Sequence, residues 1–273
     1  MNTPKRIPIR IFNWSDFVLQ MTILGLVGLT IISFANFDNR GVVLSDAFMS
    51  LLDGFRSLLF EARLKNVTVN EMLWQLLITI CLGLLTTVFG AIIALFLALF
   101  AAQNLSPKWV TNIIKGITAI VRAIPTVLWV LIFAIAAGLG SVAAVIGMTF
   151  HSAGYLIKAY SESFEEIEGG VIEALKASGA NWWQIVFQAV LPSSVTAILS
   201  WTFLRFEINF STAIAMGAAA GAGGIGFDMF MASGFYLDLR ELGAFTYTIL
   251  LFAIMLELSA TRLKDYLNAR QSR

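Results

Sequence analysis

Residues 161–192, SESFEEIEGGVIEALKASGANWWQIVFQAVLP, are too polar to enter a lipid bilayer and too regularly patterned for a plain linker. Glycines at 169–170 and at Gly179 interrupt helices, Asn181 is a good helix N-cap, and Pro192 suits the first turn of a longer helix. The stretch therefore predicts two short helices ahead of a new apolar segment. Five side chains make the second helix apolar on more than one side: Trp182, Trp183, Ile185, Val186 and Phe187. We expect that helix to lie against a membrane surface or a partner protein.

The whole chain is far more apolar than a water-soluble domain. Of its 273 residues, 58% are hydrophobic and 13% are charged, and the mean hydropathy is +0.82. Soluble domains carry about 25% charged residues. The 18 basic and 17 acidic residues leave a net charge of +1, and Cys81 is the only cysteine. These values exclude a soluble domain, a disordered chain, a disulfide-stapled secreted domain and a nucleic-acid-binding protein.

Six stretches are long and apolar enough to cross a bilayer as helices, which takes about 20 residues each. They lie at about residues 17–34, 72–101, 117–139, 141–159, 194–212 and 244–258. The runs are continuously apolar rather than alternating, which favours helices over membrane β-strands. The sequence therefore predicts an all-α, polytopic membrane bundle of about six transmembrane helices. The first run is longer than the apolar core of a secretory signal, so we expect it to be retained.

Basic residues at both ends of the chain predict its orientation. They are Lys5, Arg6 and Arg10 before the first span, and Arg262, Lys264, Arg270 and Arg273 after the last. Positive charge marks the cytoplasmic flanks of membrane spans. We therefore expect both termini and residues 161–192 on the cytoplasmic side.

The spacing within residues 161–192 resembles the EAA loop of ABC-importer permeases. The residues that carry the motif are Glu173, Ala174, Gly179, Leu191 and Pro192. Three residues separate the Glu-Ala-Ala element from the glycine, and the distance from there to Leu-Pro also agrees with the family pattern. Two positions differ, since Leu175 replaces the second alanine and Ala189 the usual isoleucine.

This resemblance implies a type I importer permease fold whose loop couples to a separate ATPase. It divides the chain into a cytoplasmic segment (1–16), a first span with an external loop (17–71), a permease core (72–260) with the coupling loop at about 160–192, and a cytoplasmic tail (261–273). It also implies partners: two ABC ATPase subunits that would bind ATP and Mg²⁺, an extracytoplasmic binding protein, and a second copy of the chain. The implied location is the bacterial inner membrane.

Four further stretches resemble phosphonate-type permeases, over about residues 70–260. They are Arg122-Ala123-Ile124-Pro125, His151-Ser152-Ala153-Gly154, Arg205-Phe206-Glu207-Ile208-Asn209 and Gly221-Ala222-Gly223-Gly224-Ile225-Gly226. Such permeases often place a basic residue after the asparagine, where this chain has Phe210-Ser211-Thr212. The resemblance implies ATP-driven import of phosphonates or related phosphorus oxyanions.

Charged residues inside the fifth span are candidate pathway residues. Arg205 lies near its middle, where a lone arginine costs about 2.5–3.5 kcal/mol unless it faces protein or water. Helical spacing puts Thr202, Arg205, Asn209 and Thr212 on one stripe and Glu207 on another face. The stripe either lines an anion pathway or holds the bundle and a second subunit together.

Arg122 lies near the cytoplasmic end of the third span. We expect its side chain to reach lipid headgroups, although it shares a helix face with Thr118 and Thr126 and so could also belong to the polar network. His151 is the only histidine. It is interpreted as a neutral hydrogen-bonding contact between helices rather than a metal ligand.

Five glycines after the fifth span are candidate close-packing positions: Gly217, Gly221, Gly223, Gly224 and Gly226. Three of them satisfy the dinucleotide pattern G-x-G-x-x-G, with Glu241 about 20 residues further on, but no predicted β-strand precedes them. We interpret them instead as places where helices or a re-entrant turn approach closely near the substrate path.

The chain carries no phosphate-binding loop and no cluster of metal ligands. We therefore expect no catalytic residue, no metal site and no cofactor of its own. Permeases for phosphate, amino acids or other small solutes are the nearest alternatives. A membrane scaffold or an intramembrane protease is a weaker one, because neither has a use for the coupling-loop spacing.

Overall fold

The structure is a computed structural model that describes residues 13–37, 41 and 43–271, with side chains as far as residue 262. Its helices are α1 Trp14–Ala35, α2 Leu44–Phe60, α3 Val69–Ala101, α4 Lys108–Ala123, α5 Thr126–Ala137, α6 Ser141–Glu165, α7 Gly169–Ala177, α8 Trp182–Ile185, α9 Leu191–Ala220, α10 Ile225–Gly234 and α11 Leu239–Gln271. A π-helical turn, Val186–Val190, joins α8 to α9. The part of the chain described contains no β-strand.

The chain divides into two compact units, Met1–Asp53 and Gly54–Arg273. Helix α1 belongs to the first unit and helices α3 to α11 to the second. Several basic residues used to predict the orientation lie outside the described residues or side chains: Lys5, Arg6, Arg10, Lys264, Arg270 and Arg273. The C-terminal residues from 261 are not a separate tail, because α11 continues to Gln271.

Five helical stretches are long and apolar enough to span a bilayer: Trp14–Ala35, Val69–Ala101, Ser141–Glu165, Trp182–Ala220 and Leu239–Arg262. Helices α4 and α5 qualify only as a pair, and they are bent by 89° at their junction. The predicted all-α bundle with about six spans is confirmed when this pair counts as one. The prediction of an unbroken third span over residues 117–139 is wrong.

Proline causes the break between α4 and α5. Pro125 has no N–H to donate to the carbonyl of Val121, and it forces the preceding residue out of helical geometry. Ile124 accordingly has extended backbone angles, φ −84° and ψ 122°. The indole Nε1 of Trp129 donates to the Val121 carbonyl at 3.0 Å in place of the missing amide.

A second proline shapes the entry to α9. Pro192 cannot donate to the carbonyl four residues earlier, and the chain widens into the π-helical turn just before it, where the Leu191 N–H bonds to the Val186 carbonyl. The second short helix expected from the sequence is therefore not separate. It runs through the π turn into α9, as one helical stretch Trp182–Ala220.

Helix α6 is the centre of the second unit and packs against α3, α4, α5 and α9. Glycines permit the close approach, as is usual for helices in lipid. A Cβ at Gly147 would lie 2.5 Å from the Val130 nitrogen of α5, and one at Gly90 of α3 would lie 2.9 Å from the Ser152 hydroxyl. The first contact packs α6 closely against α5, and the second places the Ser152 hydroxyl of α6 against α3.

Candidate functional site

The predicted coupling residues lie on a compact turn between α7 and α8. Helix α7 ends in a Schellman motif, in which Gly179 N–H bonds to the Lys176 carbonyl and Ala180 N–H to the Leu175 carbonyl, both at 3.0 Å. Gly179 has φ +85°, a conformation that glycine adopts without strain. The side chains of Asn181 and Gln184 then cap α8 reciprocally.

This coupling segment, residues 169–192, is attached to the loop between α3 and α4. Trp182 stacks on Phe100 with ring centroids 5.5 Å apart, and its indole N–H donates to the Leu105 carbonyl at 2.9 Å. Two side chains of the segment itself, Ile172 and Ile185, are buried. A displacement of the segment would therefore be transmitted to the ends of two membrane helices.

The motif residues leave an exposed face for a partner. Glu173, Ala174, Gly179 and Pro192 are exposed, and Leu191 is half-buried. Trp183 and Phe187 stack on each other at 6.0 Å and remain 55% and 62% exposed. The face therefore offers one carboxylate, an aromatic pair and a tight backbone turn, which suits protein contact.

A buried polar network joins α3, α6 and α9. Arg205 Nε donates to the Ser152 hydroxyl at 3.1 Å. The Asn209 amide donates to that hydroxyl at 3.0 Å and to Thr87 at 2.8 Å. The Arg205 guanidinium also lies 5.2 Å from the centre of the Tyr155 ring. Helical spacing predicted that Arg205 and Asn209 lie on one face, but it did not identify their contacts with Thr87, Ser152 and Tyr155.

The positive charge of Arg205 has no counter-ion among the described residues. Arg205 is the fifteenth of the 30 residues of α9, it is 4% exposed, and no carboxylate forms an ion pair with it. Two polar atoms nearby, Asn209 Oδ1 and His151 Nδ1, are buried without a hydrogen-bond partner in the same part of the chain. An uncompensated cation at this depth is costly, which makes Arg205 a candidate functional residue.

Glu207 and Thr212 lie elsewhere, in a groove of about 550 Å³ between the start of α5 and α9. Thr126, Ser211 and Met216 also line this groove. Thr212 bonds to its own helix at the Ile208 carbonyl, 2.8 Å away. The predicted single stripe therefore divides: Arg205 and Asn209 face the buried network, whereas Thr212 faces the groove with Glu207.

Arg122 belongs to neither of these polar groups. Arg122 lies in the last turn of α4, is exposed, and lines a pocket with Lys115 and Lys158. Thr118 lines the same pocket, but Thr126 lies beyond the break and faces the Glu207 groove. The prediction that Thr118, Arg122 and Thr126 share one helix face is therefore wrong.

The glycines from the last turn of α9 to the first turn of α10 form a close-packed corner. A Cβ at Gly217 would lie 2.8 Å from the Gly223 carbonyl oxygen, and one at Gly226 would collide with the carbonyl of Ile214. Gly224 packs against α3, where its N–H bonds to the Gln75 side chain at 3.2 Å and the next N–H to Thr79 at 3.0 Å. Gly221 and Gly223 have open surroundings but positive φ, which the turn requires.

Glu241 organises the loop before α3, a role that its sequence position did not suggest. Its carboxylate accepts hydrogen bonds from the backbone N–H groups of residues 65, 66 and 67 and from the Asn66 side chain, at 2.6–3.1 Å. It is 1% exposed. The only signal in the sequence is an acidic residue in the first turn of a helix, which is common.

The chain matches a family model described as "Binding-protein-dependent transport system inner membrane component" over residues 94–273. Among curated proteins it is 32% identical over 156 residues to the phosphate-import permease protein PhnE of Mycolicibacterium smegmatis, covering 56% of this chain and 29% of that protein. It is 29% identical over 180 residues to the phosphite transport system permease protein PtxC of Stutzerimonas stutzeri, covering 66% and 65%. The chain thus spans less than two thirds of these relatives' length.

Solved structures agree with the fold. The MetNI methionine ABC transporter in an inward-facing conformation aligns with a TM-score of 0.63 at 20% identity, over 71% of this chain and 95% of that one. A bacterial alginate ABC transporter aligns with a TM-score of 0.56 at 15% identity, over 93% and 98%. The fold is that of a type I importer permease. This multi-pass membrane chain belongs to the family of inner membrane components of binding-protein-dependent transport systems.

Proposed function

We propose that the chain is the permease subunit of an ATP-driven importer of phosphonates or related phosphorus oxyanions. Its family works with binding proteins, and the relatives named above are permeases for phosphate import and phosphite. The uncompensated charge of Arg205 at mid-membrane supports an anionic substrate, because a fixed cation lowers the energy of an anion beside it. The coupling segment is the single observation that carries the proposal.

Two copies of the chain would form the translocation path, each binding one ATPase subunit through its coupling segment. The ATPase subunits would hold ATP and Mg²⁺, and a phosphonate-type binding protein would deliver substrate from the other side. Both termini and the coupling segment would then lie in the cytoplasm of a bacterial cell. Closure of the ATPase pair would displace the segment, and Trp182 would carry the motion to the α3–α4 loop.

Gly179→Asp tests the coupling assignment. An aspartate at φ +85° strains the Schellman turn and adds a charge at the docking face. We expect the variant to insert normally but to lose uptake and co-purification of the ATPase. Gly41→Asp is the matched control, because Gly41 is also exposed, unhindered and at a positive φ of +73°, but lies outside the coupling segment. Wild-type uptake by Gly179→Asp would contradict the proposal.

The substrate class requires a separate measurement. The permease, ATPase and binding protein reconstituted together should hydrolyse ATP faster with a phosphonate, phosphite or phosphate ester than without it. Methionine is the informative competitor, because the chain is also 26% identical to a probable D-methionine permease of Pasteurella multocida. Stimulation by methionine and not by any phosphorus oxyanion would move the assignment to an amino-acid importer while leaving the coupling role intact.

A further inference from the structure

Helix α4 presents an apolar stripe to its surroundings and a polar side to the bundle. Trp109, Ile113, Ile117 and Ile120 follow one another at helical spacing and are 54–68% exposed. Thr111 and Thr118, on the opposite side, are buried against α3 and α6. An exposed stripe of large apolar side chains on a membrane protein suits contact with lipid.

A cationic pocket of about 170 Å³ opens between α4 and α6. Its charged residues are Lys115, Arg122, Lys158 and Glu162. Two of the cations are already paired, since Lys115 lies 2.8 Å from Glu165 and Lys158 lies 3.5 Å from Glu162. Arg122 has no ion pair among the described residues, so the pocket keeps one uncompensated positive charge at its wall.

An almost entirely apolar groove of about 240 Å³ continues from this pocket along α6. Both cavities are lined by Thr118 and Ile157, so they share a wall. The groove runs on to Phe150, which lies about 12 Å along α6 from Lys158 at 1.5 Å per residue. Ile93, Leu97 and Ile117 also line it and are 38–58% exposed, so its side opens outward to lipid.

The order of the two cavities matches the orientation of a phospholipid. The cationic pocket lies toward Glu165, the end of α6 nearest the coupling segment, and the apolar groove lies toward the middle of the helix. A phosphate at the pocket therefore stands at the level of the headgroups, and a chain in the groove points to the bilayer centre. A free oxyanion would fill the pocket and leave the groove empty.

We propose that Arg122 and Lys158, with the groove between α3, α4 and α6, bind one anionic phospholipid from the leaflet on the coupling-segment side. The phosphodiester lies against the two cations, and an acyl chain occupies the groove. The Ser161 hydroxyl donates to the Lys158 carbonyl at 3.0 Å and can still accept a bond from a headgroup hydroxyl. A bound lipid would brace α4 against α6, beside the loop that the coupling segment contacts.

The test uses the purified full-length chain, delipidated in detergent and titrated with phosphatidylglycerol, phosphatidylcholine or phosphatidylethanolamine while native mass spectrometry counts bound lipid. We expect one phosphatidylglycerol to bind more tightly than phosphatidylcholine or phosphatidylethanolamine. Arg122→Gln should weaken that binding about fivefold, the usual effect of one basic residue near an anionic lipid surface. Lys108→Gln, an exposed lysine on the same helix outside both cavities, should leave it unchanged.

A second variant separates a lipid from a free oxyanion. Ile93→Trp fills the groove without altering the cationic pocket, and a thermal unfolding curve checks that the variant is folded. We expect it to weaken phosphatidylglycerol binding while excess inorganic phosphate fails to displace the lipid. Equal binding of the three lipids, an unchanged affinity in Arg122→Gln, or displacement by inorganic phosphate with no effect of Ile93→Trp would each overturn the proposal.

Discussion

Individual residues in this protein place polar groups inside the helix bundle, where water is excluded. Gly90 removes a side chain so that Ser152 can approach α3, and the Ser152 hydroxyl then accepts hydrogen bonds from both Arg205 and Asn209. The Ser152 hydroxyl joins α6 to α9, and the bond from Asn209 to Thr87 extends the network to α3. Buried polar groups are stable only when paired, so this convergence fixes the relative position of the helices more sharply than apolar packing would.

The carboxylate of Glu241 is the clearest case for a stability measurement. Glu241→Gln keeps the shape of the side chain but removes the charge. Its remaining oxygen can still accept from the three backbone N–H groups, but the other oxygen becomes a donor that faces the Asn66 side-chain N–H. We expect a loss of about 2–3 kcal/mol in unfolding free energy, the range for charge-assisted hydrogen bonds. A denaturant or thermal titration measures it. Glu168→Gln, at an exposed position whose carboxylate forms no hydrogen bond or ion pair among the described residues, should change stability by less than about 0.5 kcal/mol.

The sequence predicted that Arg205 and Glu207 lie on different faces of the fifth span, but it did not predict which residues of other helices they contact. Arg205 and Glu207 are two positions apart, and the 100° turn per residue alone separates them. The partners of Arg205 depend on where α6 crosses α9, which no local pattern encodes. Thr212 illustrates the limit, since it lies seven residues from Arg205 on nearly the same face, yet it reaches the groove beyond the contact with α6.

At the scale of helices, the apolar runs predicted most of the bundle because span length is set by bilayer thickness. The prediction of an unbroken third span was wrong because hydropathy measures apolar character and does not detect a bend in the helix. Ile124-Pro125 interrupts a run that remains apolar on both sides. The effect of proline on the preceding residue predicts that the helix breaks there, but it does not predict the angle between the two parts. The turn between α7 and α8 was predicted from glycine and asparagine at fixed positions, whereas the second short helix continues into α9.

Trp129 tests the physical account of that bend. If its indole replaces the amide that Pro125 lacks, Trp129→Phe leaves the Val121 carbonyl without its donor in the membrane region. We expect a loss of about 1–3 kcal/mol, the cost of a buried unsatisfied polar group. Thermal unfolding in a fixed detergent is the measurement. Trp74→Phe, at an exposed position on α3, is the control and should have little effect. Equal losses in both variants would show that ring size, not the hydrogen bond, matters.

At the scale of the whole molecule, the positive charge of Arg205 is kept at mid-membrane without a carboxylate to balance it among the described residues. A structural role and a transport role therefore predict opposite results for Arg205→Gln. Glutamine can still donate to Ser152, and it removes a desolvated charge, so thermal stability and formation of the proposed dimer should be unchanged or slightly improved.

If the proposed transport role is correct, uptake of a phosphorus oxyanion should fall about tenfold in the same variant, the equivalent of roughly 1.4 kcal/mol of lost attraction. Arg262→Gln, an exposed arginine near the end of the described side chains of α11, is the matched control and should transport normally. Transport assays in vesicles, together with the mass of the purified complex, separate the two roles. If Arg205→Gln transports at the wild-type rate but loses the dimer, the arginine serves assembly and the anion is carried by other groups.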